Sequence, residues 1–336
     1  MTQFTASLVA HELEWRVMGR SGWPLFIERN RWFQRQAAAA LDGSPGWQHQ
    51  IVFAHSYAAL EIFQRARAAG ARCVLGQIDP GAAHFEIVRD AALAAPEYGP
   101  PPAPPPPEYL SRWHEECGLA DQIVVNSEWS RSCLERAGIP AAKLRIVPLA
   151  YEPESLDLTP RNYPDVFSVT RPLRILFVGQ VSVAKGAAAL LDTVPLLQDL
   201  PVEVWLVGPV AMSIPQRFLD HPVLKWVGAV SRSEVMEHYR DSDVLVFPTL
   251  SDGFGMAQVE AQGWGLPVIA SRRSGRVIED DVTGLVLDDP CPAAIAAAIR
   301  RIAGQPQLLE RWSANALGPA RNVIERLGSA LAQLEA

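Results

Sequence analysis

The sequence predicts an α/β protein built from two doubly wound domains, each with a parallel sheet. The chain has 336 residues, which is long for one α/β core and comfortable for two. Short, wholly apolar runs such as Val244–Phe247 are typical of buried parallel strands. Helical stretches separate these runs, and that alternation favours an α/β fold.

The most informative stretch lies between residues 244 and 270. After the apolar run, Pro248 ends the strand and the chain enters a loop, Asp252–Gly255. A helical stretch starts near Met256, and a further strand, Val268–Ala270, follows it. A helix N-terminus that follows a strand presents unpaired N–H groups and roughly half a positive charge. The stretch therefore predicts an anion site at the carboxyl edge of a sheet.

Two glycines and two acids in this stretch indicate what the anion site binds. Gly253 and Gly255 lack a Cβ, so a phosphate can approach the backbone closely. Asp252 precedes the loop glycines, and Glu260 follows with seven residues between the two acids. A helix that starts near Met256 places Glu260 one turn in, from where it can reach past phosphates to sugar hydroxyls. The alternative is a βαβ unit whose glycines serve only as turns.

The remaining elements alternate in the same way along the chain. Predicted strands cover residues 51–54, 73–75, 123–125, 173–178, 202–207 and 223–228. Predicted helices cover residues 57–69, 129–137 and the alanine-rich segment after residue 290. Ser127 is placed to cap the second of these helices, and Ser231–Glu234 has the pattern of a capping box.

Three segments lack this alternation. Residues 1–50 alternate arginines with aromatic residues, and they form either a surface for an anionic or lipid-linked acceptor or a domain edge packed by tryptophans. Residues 96–107 are a polyproline tract, predicted as a stiff loop of the first domain without hydrogen-bonded structure; a proline-recognising partner is the alternative. Residues 150–171 are rich in proline and predict the interdomain linker.

Composition narrows the classes of function. The net charge of −7 argues against a broad nucleic-acid-binding surface. The four cysteines lie far apart without a C-x-x-C spacing, so we expect reduced packing residues and no metal site. No apolar run approaches the ~20 residues of a membrane span, and the N-terminus has no signal-peptide pattern. We expect a cytoplasmic protein, with peripheral contact to the inner membrane face left open.

The central stretch resembles the donor-sugar motif of the retaining GT-B glycosyltransferases of the family-four type, the glycosyl transferases group 1. Residues 251–271 read SDGFGMAQVEAQGWGLPVIAS. The family's text is close to E-G-F-G, four residues, a Glu and then G-x-P-V-I-A, and Asp252 is one methylene shorter than the family's first Glu. Ser274-Gly275, Glu279 and Thr283–Val286 resemble the family's G-G…E…D-G-x-x-G-x-L-V run.

The resemblance extends into the first half of the chain. Ala120–Glu128 is similar to the family's A-D-x-I-I-V-x-S-E segment, and Gly138–Pro148 to its G-I-P-x-x-K-I-x-V-V-P segment. The resemblance covers residues 51–330 loosely and 172–288 well. It implies the GT-B fold, two Rossmann-like domains that face a central cleft. The implied parts are an acceptor-side domain at residues 1–165, with an atypical or shortened start, and a nucleotide-sugar domain at residues 166–321. A helix at residues 322–336 is implied to cross back to the first domain.

The reaction that the resemblance implies moves a hexose from a nucleoside-diphosphate sugar to a hydroxyl of a glycan or lipid-linked acceptor, with retention of configuration. It implies no metal or other cofactor and no nucleic-acid partner. Lys185 and the N–H groups of Gly255 and Met256 would stabilise the charge on the leaving diphosphate. Asp252 would hold the donor hexose, and Glu260 would hold the ribose hydroxyls.

The other implied donor-binding residues line the same site, and they are Gly179, Gln180, Gly228, Gly253 and Phe254. Gln180 stands where the family has an Arg that neutralises the diphosphate, so one cation is lost. Gly228 borders the expected place of the nucleotide base.

One catalytic residue is implied on the acceptor side. The family often has a His at a strand end there, and Ile78 or Asp79 occupies that position in this chain. His84 follows shortly and is predicted to substitute, which makes Asp252, Lys185 and His84 the predicted catalytic residues. Two other functions stay open, a GT-B epimerase-like enzyme and a non-catalytic sugar- or nucleotide-binding GT-B protein.

Overall fold

The computed structural model describes residues 21–43, 46–151 and 161–316, with the isolated positions 11, 15, 17 and 19 before them. The chain falls into two compact units. The first holds residues 1–85, 103–126 and 131–146, and the second holds residues 86–102, 127–130 and 147–336. The predicted division between residues 165 and 166 stays a prediction. The predicted crossing helix at residues 322–336 lies outside the described part of the chain.

A parallel sheet of four strands, in the order β1-β2-β3-β4, forms the centre of the first unit as far as the structure describes it. Its strands are β1 (Ile51–His55), β2 (Arg72–Gln77), β3 (Gln122–Val125) and β4 (Leu144–Ile146). The helices of this part of the chain are α1 (Gly22–Asp42), α2 (Leu60–Ala68), α3 (Ala82–Ala94), α4 (Pro107–Leu119) and α5 (Glu128–Arg136). Because all pairings are parallel, the carboxyl ends of the strands lie at one edge.

The second unit has a six-stranded parallel sheet in its described residues, in the order β10-β9-β8-β5-β6-β7. Its strands are β5 (Leu173–Val178), β6 (Val202–Val207), β7 (Leu224–Gly228), β8 (Val244–Phe247), β9 (Val268–Ser271) and β10 (Gly284–Leu287). Its helices are α6 (Ala187–Thr193), α7 (Gln216–Leu219), α8 (Arg232–Asp241), α9 (Met256–Gly263), α10 (Pro292–Gly304) and α11 (Gln307–Ala316).

The strand order of the second sheet makes it doubly wound. The chain runs from β5 outward through β6 to β7, then returns to place β8 on the other side of β5 and continues outward to β10. Ligands of such sheets bind outside the carboxyl ends of the strands where the winding direction changes. In this unit that point lies between β5 and β8.

Burial explains why the two strands after the return are wholly apolar. All four residues of β8 are buried, and so are all four of β9, because helices cover both faces of the sheet. Just before β8, the buried Asp243 accepts two hydrogen bonds from the Arg171 guanidinium at 2.7 and 2.8 Å. Asp243 also accepts a hydrogen bond from the Arg174 N–H at 2.8 Å, so the start of β5 is fixed beside the start of β8.

The structure confirms every strand predicted from the sequence, with ends that are identical or differ by at most two residues. The predicted caps are confirmed as well. Ser231 and Glu234 form a reciprocal capping box at the start of α8. The Ser130 N–H donates to the Ser127 hydroxyl at 3.1 Å, which caps α5.

The polyproline tract differs from its prediction, because its first residues are hydrogen-bonded. Pro96–Tyr98 forms a turn of 3₁₀ helix, and Tyr98 is 2% exposed. The Tyr98 hydroxyl donates to Asp192 at 2.6 Å, and its carbonyl accepts from the Ser213 N–H at 2.9 Å. A buried tyrosine among the prolines therefore anchors residues 96–102 of the tract in the second unit, and not in the first domain as predicted.

The aromatic residues near the N-terminus pack within the first unit. The Trp23 ring lies 4.9 Å from that of Tyr109 and 5.7 Å from that of Phe85, measured between centroids. The Trp23 Nε1–H donates to the Ala103 carbonyl at 3.1 Å. These contacts favour the interpretation of a domain edge packed by tryptophans. Across the part of the chain that the structure describes, no helix is long and apolar enough to cross a bilayer.

Candidate active site

Lys185 and Asp252 meet at the centre of the second sheet. Lys185 lies in the loop after β5, Asp252 lies in the loop after β8, and these two strands are neighbours. The Lys185 Nζ contacts the Asp252 Oδ2 as an ion pair. The lysine side chain is 36% exposed and the carboxylate 15%. The pair therefore sits at the point where the doubly wound sheet is expected to bind its ligand.

Close backbone packing holds the Lys185 loop against the end of β8. The Ala184 carbonyl accepts hydrogen bonds from the Leu250 N–H at 3.0 Å and the Thr249 hydroxyl at 3.2 Å. Gly186 has a φ of +73°, and a Cβ there would lie 1.9 Å from the Pro248 carbonyl oxygen. Only glycine fits this approach, which fixes the backbone next to Lys185.

The loop Asp252–Gly255, called the glycine-rich loop below, leads directly into α9. Gly255 precedes the helix with a φ of +85°, and a Cβ there would lie 2.5 Å from the Phe247 ring. No side chain in the described part of the chain caps this helix N-terminus. The Gln258 N–H donates to the Gly255 carbonyl at 3.2 Å, so the N–H groups of Met256 and Ala257 are the first-turn donors that remain, directly after the loop that holds Asp252.

Residues 127–130 donate hydrogen bonds to the glycine-rich loop and to the residue before it. The buried hydroxyls of Ser127 and Ser130 donate to the Gly253 carbonyl at 2.6 and 3.2 Å. The Trp129 Nε1–H donates to the Ser251 hydroxyl at 3.2 Å. The sequence identified Ser127 only as a helix cap. Its second hydrogen bond joins residues 126 positions apart, a distance over which no local pattern carries information.

Glu260 lies one turn into α9, as predicted, and it has a partner that the sequence did not show. The Tyr239 hydroxyl, on α8, donates to the Glu260 Oε2 at 2.8 Å. Burial, followed by the nearby Glu260 charge, raises the pKa of Tyr239 well above its ordinary value, so this hydroxyl stays protonated as a donor. Tyr239 thus fixes one oxygen of the carboxylate that is predicted to hold the ribose.

The other predicted donor-binding residues follow strands of the same sheet edge. Gly179 and Gln180 follow β5, and Gly228 ends β7. The chain is tightly packed here, since a Cβ at Gly208 would lie 2.0 Å from the Gly179 carbonyl oxygen. The Gly208 N–H donates to the Gly228 carbonyl at 2.8 Å. Gln180 is exposed.

In the first unit, a side chain occupies the N-terminus of α2, the helix that follows β1. Glu116 of α4 accepts the N–H groups of Tyr57, Ala59 and Leu60, at 2.7, 2.9 and 3.1 Å, where α2 begins. Glu116 is 1% exposed. Burial raises the pKa of its carboxyl to about 7, against the lowering effect of these hydrogen bonds. This helix start is occupied by the chain's own carboxyl group, in contrast to that of α9.

His84 belongs to the first turn of α3, in the first unit. Its Nδ1 is buried and has no hydrogen-bond partner among the described residues. Asp79, nearby in sequence, accepts three hydrogen bonds on Oδ1, from the Tyr57 hydroxyl, the Gln77 amide and the Gly81 N–H, at 2.8, 2.8 and 2.9 Å. The catalytic role of His84 stays a prediction.

The site in the second unit combines one lysine, two carboxylates and backbone N–H donors at a single sheet edge. Such a set suits a ligand with a diphosphate and several hydroxyls, because cations and N–H groups bind the phosphates and carboxylates accept from hydroxyls. In the described residues no group of three or more His, Cys, Asp and Glu is placed to hold a metal ion.

Residues 172–305 match the family model of the glycosyl transferases group 1. This part of the chain, which holds Lys185, Asp252 and Glu260, is similar to the group 1 glycosyltransferases. Among curated relatives, the D-inositol 3-phosphate glycosyltransferase of Kineococcus radiotolerans is 27% identical over 249 residues, 65% of this chain and 56% of the relative. The amylovoran biosynthesis glycosyltransferase AmsK of Erwinia amylovora is 25% identical over 195 residues, 54% and 46% of the two chains. The chain spans about half the length of the curated relatives it matches.

Solved structures extend the likeness over both units. HepE of Anabaena in complex with UDP has a TM-score of 0.66 at 16% identity, with 89% of this chain and 81% of that one covered. The sucrose-phosphate synthase of Thermosynechococcus elongatus has a TM-score of 0.68 at 19% identity, with 93% and 77% covered. At these identities the likeness concerns the fold, and the chain has the GT-B fold.

Proposed function

We propose that this chain transfers a hexose from a nucleoside-diphosphate sugar to a hydroxyl of a glycan or lipid-linked acceptor, with retention at the anomeric carbon. The observation that carries the proposal is the Lys185–Asp252 pair beside the N-terminus of α9. HepE was solved with UDP-glucose as well as with UDP, which supports a nucleotide-sugar donor. The relatives' names, which include inositol phosphate and amylovoran, support a hydroxyl-rich acceptor.

In this reaction the bond between the sugar C1 and the diphosphate oxygen breaks, and negative charge grows on the leaving diphosphate. Preorganised donors aimed at that charge lower the barrier. Lys185 and the N–H groups of Gly255 and Met256 serve this purpose. Asp252 holds a hexose hydroxyl, and Glu260, fixed by Tyr239, holds the ribose hydroxyls.

We propose further that no metal or other cofactor takes part, because the lysine and the helix N-terminus supply positive charge where it is needed. Turnover that is unchanged after treatment with a chelator is the expected result. Restoration of lost turnover by Mg²⁺ or Mn²⁺ would contradict it.

A thermal-shift screen against UDP-, GDP- and ADP-sugars tests the donor class first. A ligand that binds only the native state adds about 2.7 kcal/mol to the free energy of unfolding at one hundred times its Kd, and the unfolding midpoint rises as a result. NMR of the product then gives the anomeric configuration, and inversion would contradict the retention proposal. A nucleotide sugar that shifts the midpoint but is neither transferred nor hydrolysed would support a binding protein without catalysis. One that is isomerised would support an epimerase.

A further inference from the structure

Gln258 is a buried polar side chain directly beneath the glycine-rich loop. It is the third residue of α9, and it is 0% exposed. Its Nε2 donates to the Phe254 carbonyl at 2.7 Å, the Gly275 carbonyl at 3.1 Å and the Ser274 hydroxyl at 3.2 Å. All three acceptors lie on the nitrogen side of the amide, which fixes its orientation.

These contacts join two loops at the carboxyl edge of the sheet, the one after β8 and the one after β9. Two backbone hydrogen bonds also join them, from the Asp252 N–H to the Arg273 carbonyl and from the Gly275 N–H to the Phe254 carbonyl, both at 2.9 Å. A Cβ at Gly275 would lie 2.7 Å from the Phe254 carbonyl oxygen. Gln258 is a buried side chain that donates hydrogen bonds to both loops.

The cost of this arrangement points to a positional role. The Gln258 Oε1 is buried and accepts no hydrogen bond from the described residues. An unpaired buried polar group lowers the stability of the folded protein, and an apolar side chain at this position would avoid that cost. Exceptions of this kind are concentrated at functional sites, where a group is kept for the geometry it imposes.

The geometry that Gln258 imposes concerns the peptide between Phe254 and Gly255. In a trans peptide the C=O and the following N–H point in opposite directions. Gln258 and Gly275 hold the Phe254 carbonyl toward the interior, so the Gly255 N–H points away from them. This N–H donates no hydrogen bond within the described part of the chain.

We propose that Gln258 is a positioning residue of the donor site: it holds the Phe254 carbonyl inward and thereby aims the Gly255 N–H at the diphosphate of the nucleotide sugar. The inference rests on the proposed function for the identity of the anion. The contacts of Gln258 also help to keep Asp252 in place, because the Asp252 N–H donates to the Arg273 carbonyl and so joins the same two loops.

Gln262, one turn further along α9, provides a matched control. It is 5% exposed, and its Nε2 donates to the Thr283 hydroxyl at 3.2 Å and the Val277 carbonyl at 3.4 Å. Both glutamines are buried amides on one helix, but only Gln258 bonds to the glycine-rich loop. Replacement of either by Leu removes buried hydrogen bonds, so both variants lose stability.

The test compares Gln258→Leu with Gln262→Leu in the full chain. Binding of UDP, GDP and ADP is measured by calorimetry, and amide exchange is measured by NMR at Asp252 and Gly275. We expect Gln258→Leu to weaken the preferred nucleotide at least tenfold and to speed exchange at both amides. Gln262→Leu should change neither, although its melting temperature falls comparably. Equal nucleotide affinity in the folded Gln258→Leu variant, or equal losses in both variants, would overturn the proposal.

A second variant, Gln258→Glu, gives a readout that a merely structural role would not move. Its carboxylate can only accept, and it faces two carbonyls and a hydroxyl. Burial raises the pKa of such a carboxyl, so protonation at lower pH restores one donor. We expect its nucleotide affinity, relative to wild type at the same pH, to recover as the pH falls from 8 to 6. A constant ratio would contradict the inference. If the wild type binds none of the three nucleotides, the proposed function fails, while unchanged exchange at Asp252 and Gly275 in Gln258→Leu separately refutes the role of Gln258.

Discussion

Lys185 and Asp252 neutralise each other across the ends of two adjacent central strands. The carboxylate is the less exposed partner, at 15% against 36% for the lysine. A diphosphate that enters this site competes with Asp252 for the ammonium group. We therefore expect the donor to loosen the ion pair, which frees the Asp252 carboxylate to accept from a hydroxyl of the hexose.

Replacement of Lys185 by Ala should lower turnover more than donor affinity. The lysine charge helps most in the transition state, where the leaving diphosphate carries more negative charge than it does in the bound donor. The loss of one such stabilising group typically costs about 10²–10³-fold in kcat. Steady-state kinetics with the best donor measures the effect, and Lys225→Ala on β7 serves as a control for removal of a lysine from the same unit. A raised KM with unchanged kcat would make Lys185 a plain binding residue.

Substitutions of Asp252 separate charge from length. Asp252→Asn keeps the shape but removes the charge, and the loss of a charged hydrogen bond of about 1.5–3 kcal/mol should lower turnover roughly 10- to 100-fold. Asp252→Glu restores the side chain usual in the family and should keep substantial activity. The exposed Asp288, which pairs with Arg272, offers Asp288→Asn as a control. Full turnover in the Asp252→Asn variant would remove Asp252 as the acid that holds the sugar.

Glu260 and Tyr239 can be tested as a pair. Glu260→Ala removes the carboxylate predicted to bind the ribose, which should weaken nucleotide binding by about 1.5–3 kcal/mol. Tyr239→Phe keeps the carboxylate and removes only its hydroxyl partner, so we expect a smaller loss of affinity. Calorimetry with the nucleoside diphosphate compares the two. Unchanged affinity in Glu260→Ala would exclude Glu260 from the site.

Glu116 should make the stability of the protein depend on pH. Burial raises the pKa of its carboxyl from 4.5 to about 7. Between these values the native state holds a proton that the unfolded state has lost, so the contribution to stability is full below pH 4.5. It is lost as the pH rises through 7, by an amount on the order of 3 kcal/mol.

The variant Glu116→Gln has no ionisation at this position and should lack that loss. Urea unfolding of wild type and variant at pH 5 and pH 8 gives the free energy of unfolding in each case. The difference, wild type minus variant, should fall on going to pH 8. A difference that stays constant would show that Glu116 ionises in the folded protein as it does in the unfolded chain.

The sequence predicted the strands and most helices because their signals are local. The apolar run of β8 and the glycines before α9 each carry the information within a few residues. Lys185, Asp252 and Glu260 were expected at one site because of the resemblance to the glycosyltransferase family and because the ends of parallel strands share an edge. The structure adds the direct Lys185–Asp252 contact.

The supporting contacts could not be predicted, because they join residues remote in sequence. Ser127 bonds to Gly253 over 126 positions, and Tyr98 bonds to Asp192 over 94. Gln258 contacts Gly275 over only 17 positions, but its partners are backbone carbonyls, which every residue possesses.

The order of strands in the second sheet has a consequence for synthesis of the chain. Strands β5, β6 and β7 pair in chain order, whereas β8 must return to the far side of β5. Because the N-terminal part leaves the ribosome first, β5 presents an unpaired edge until residues 244–247 have emerged. Such an edge is a template for pairing with other chains. The docking of β8 that covers this edge of β5 is also the step that brings Asp252 to Lys185, so the nascent chain pairs its central strand and acquires its ion pair in the same event.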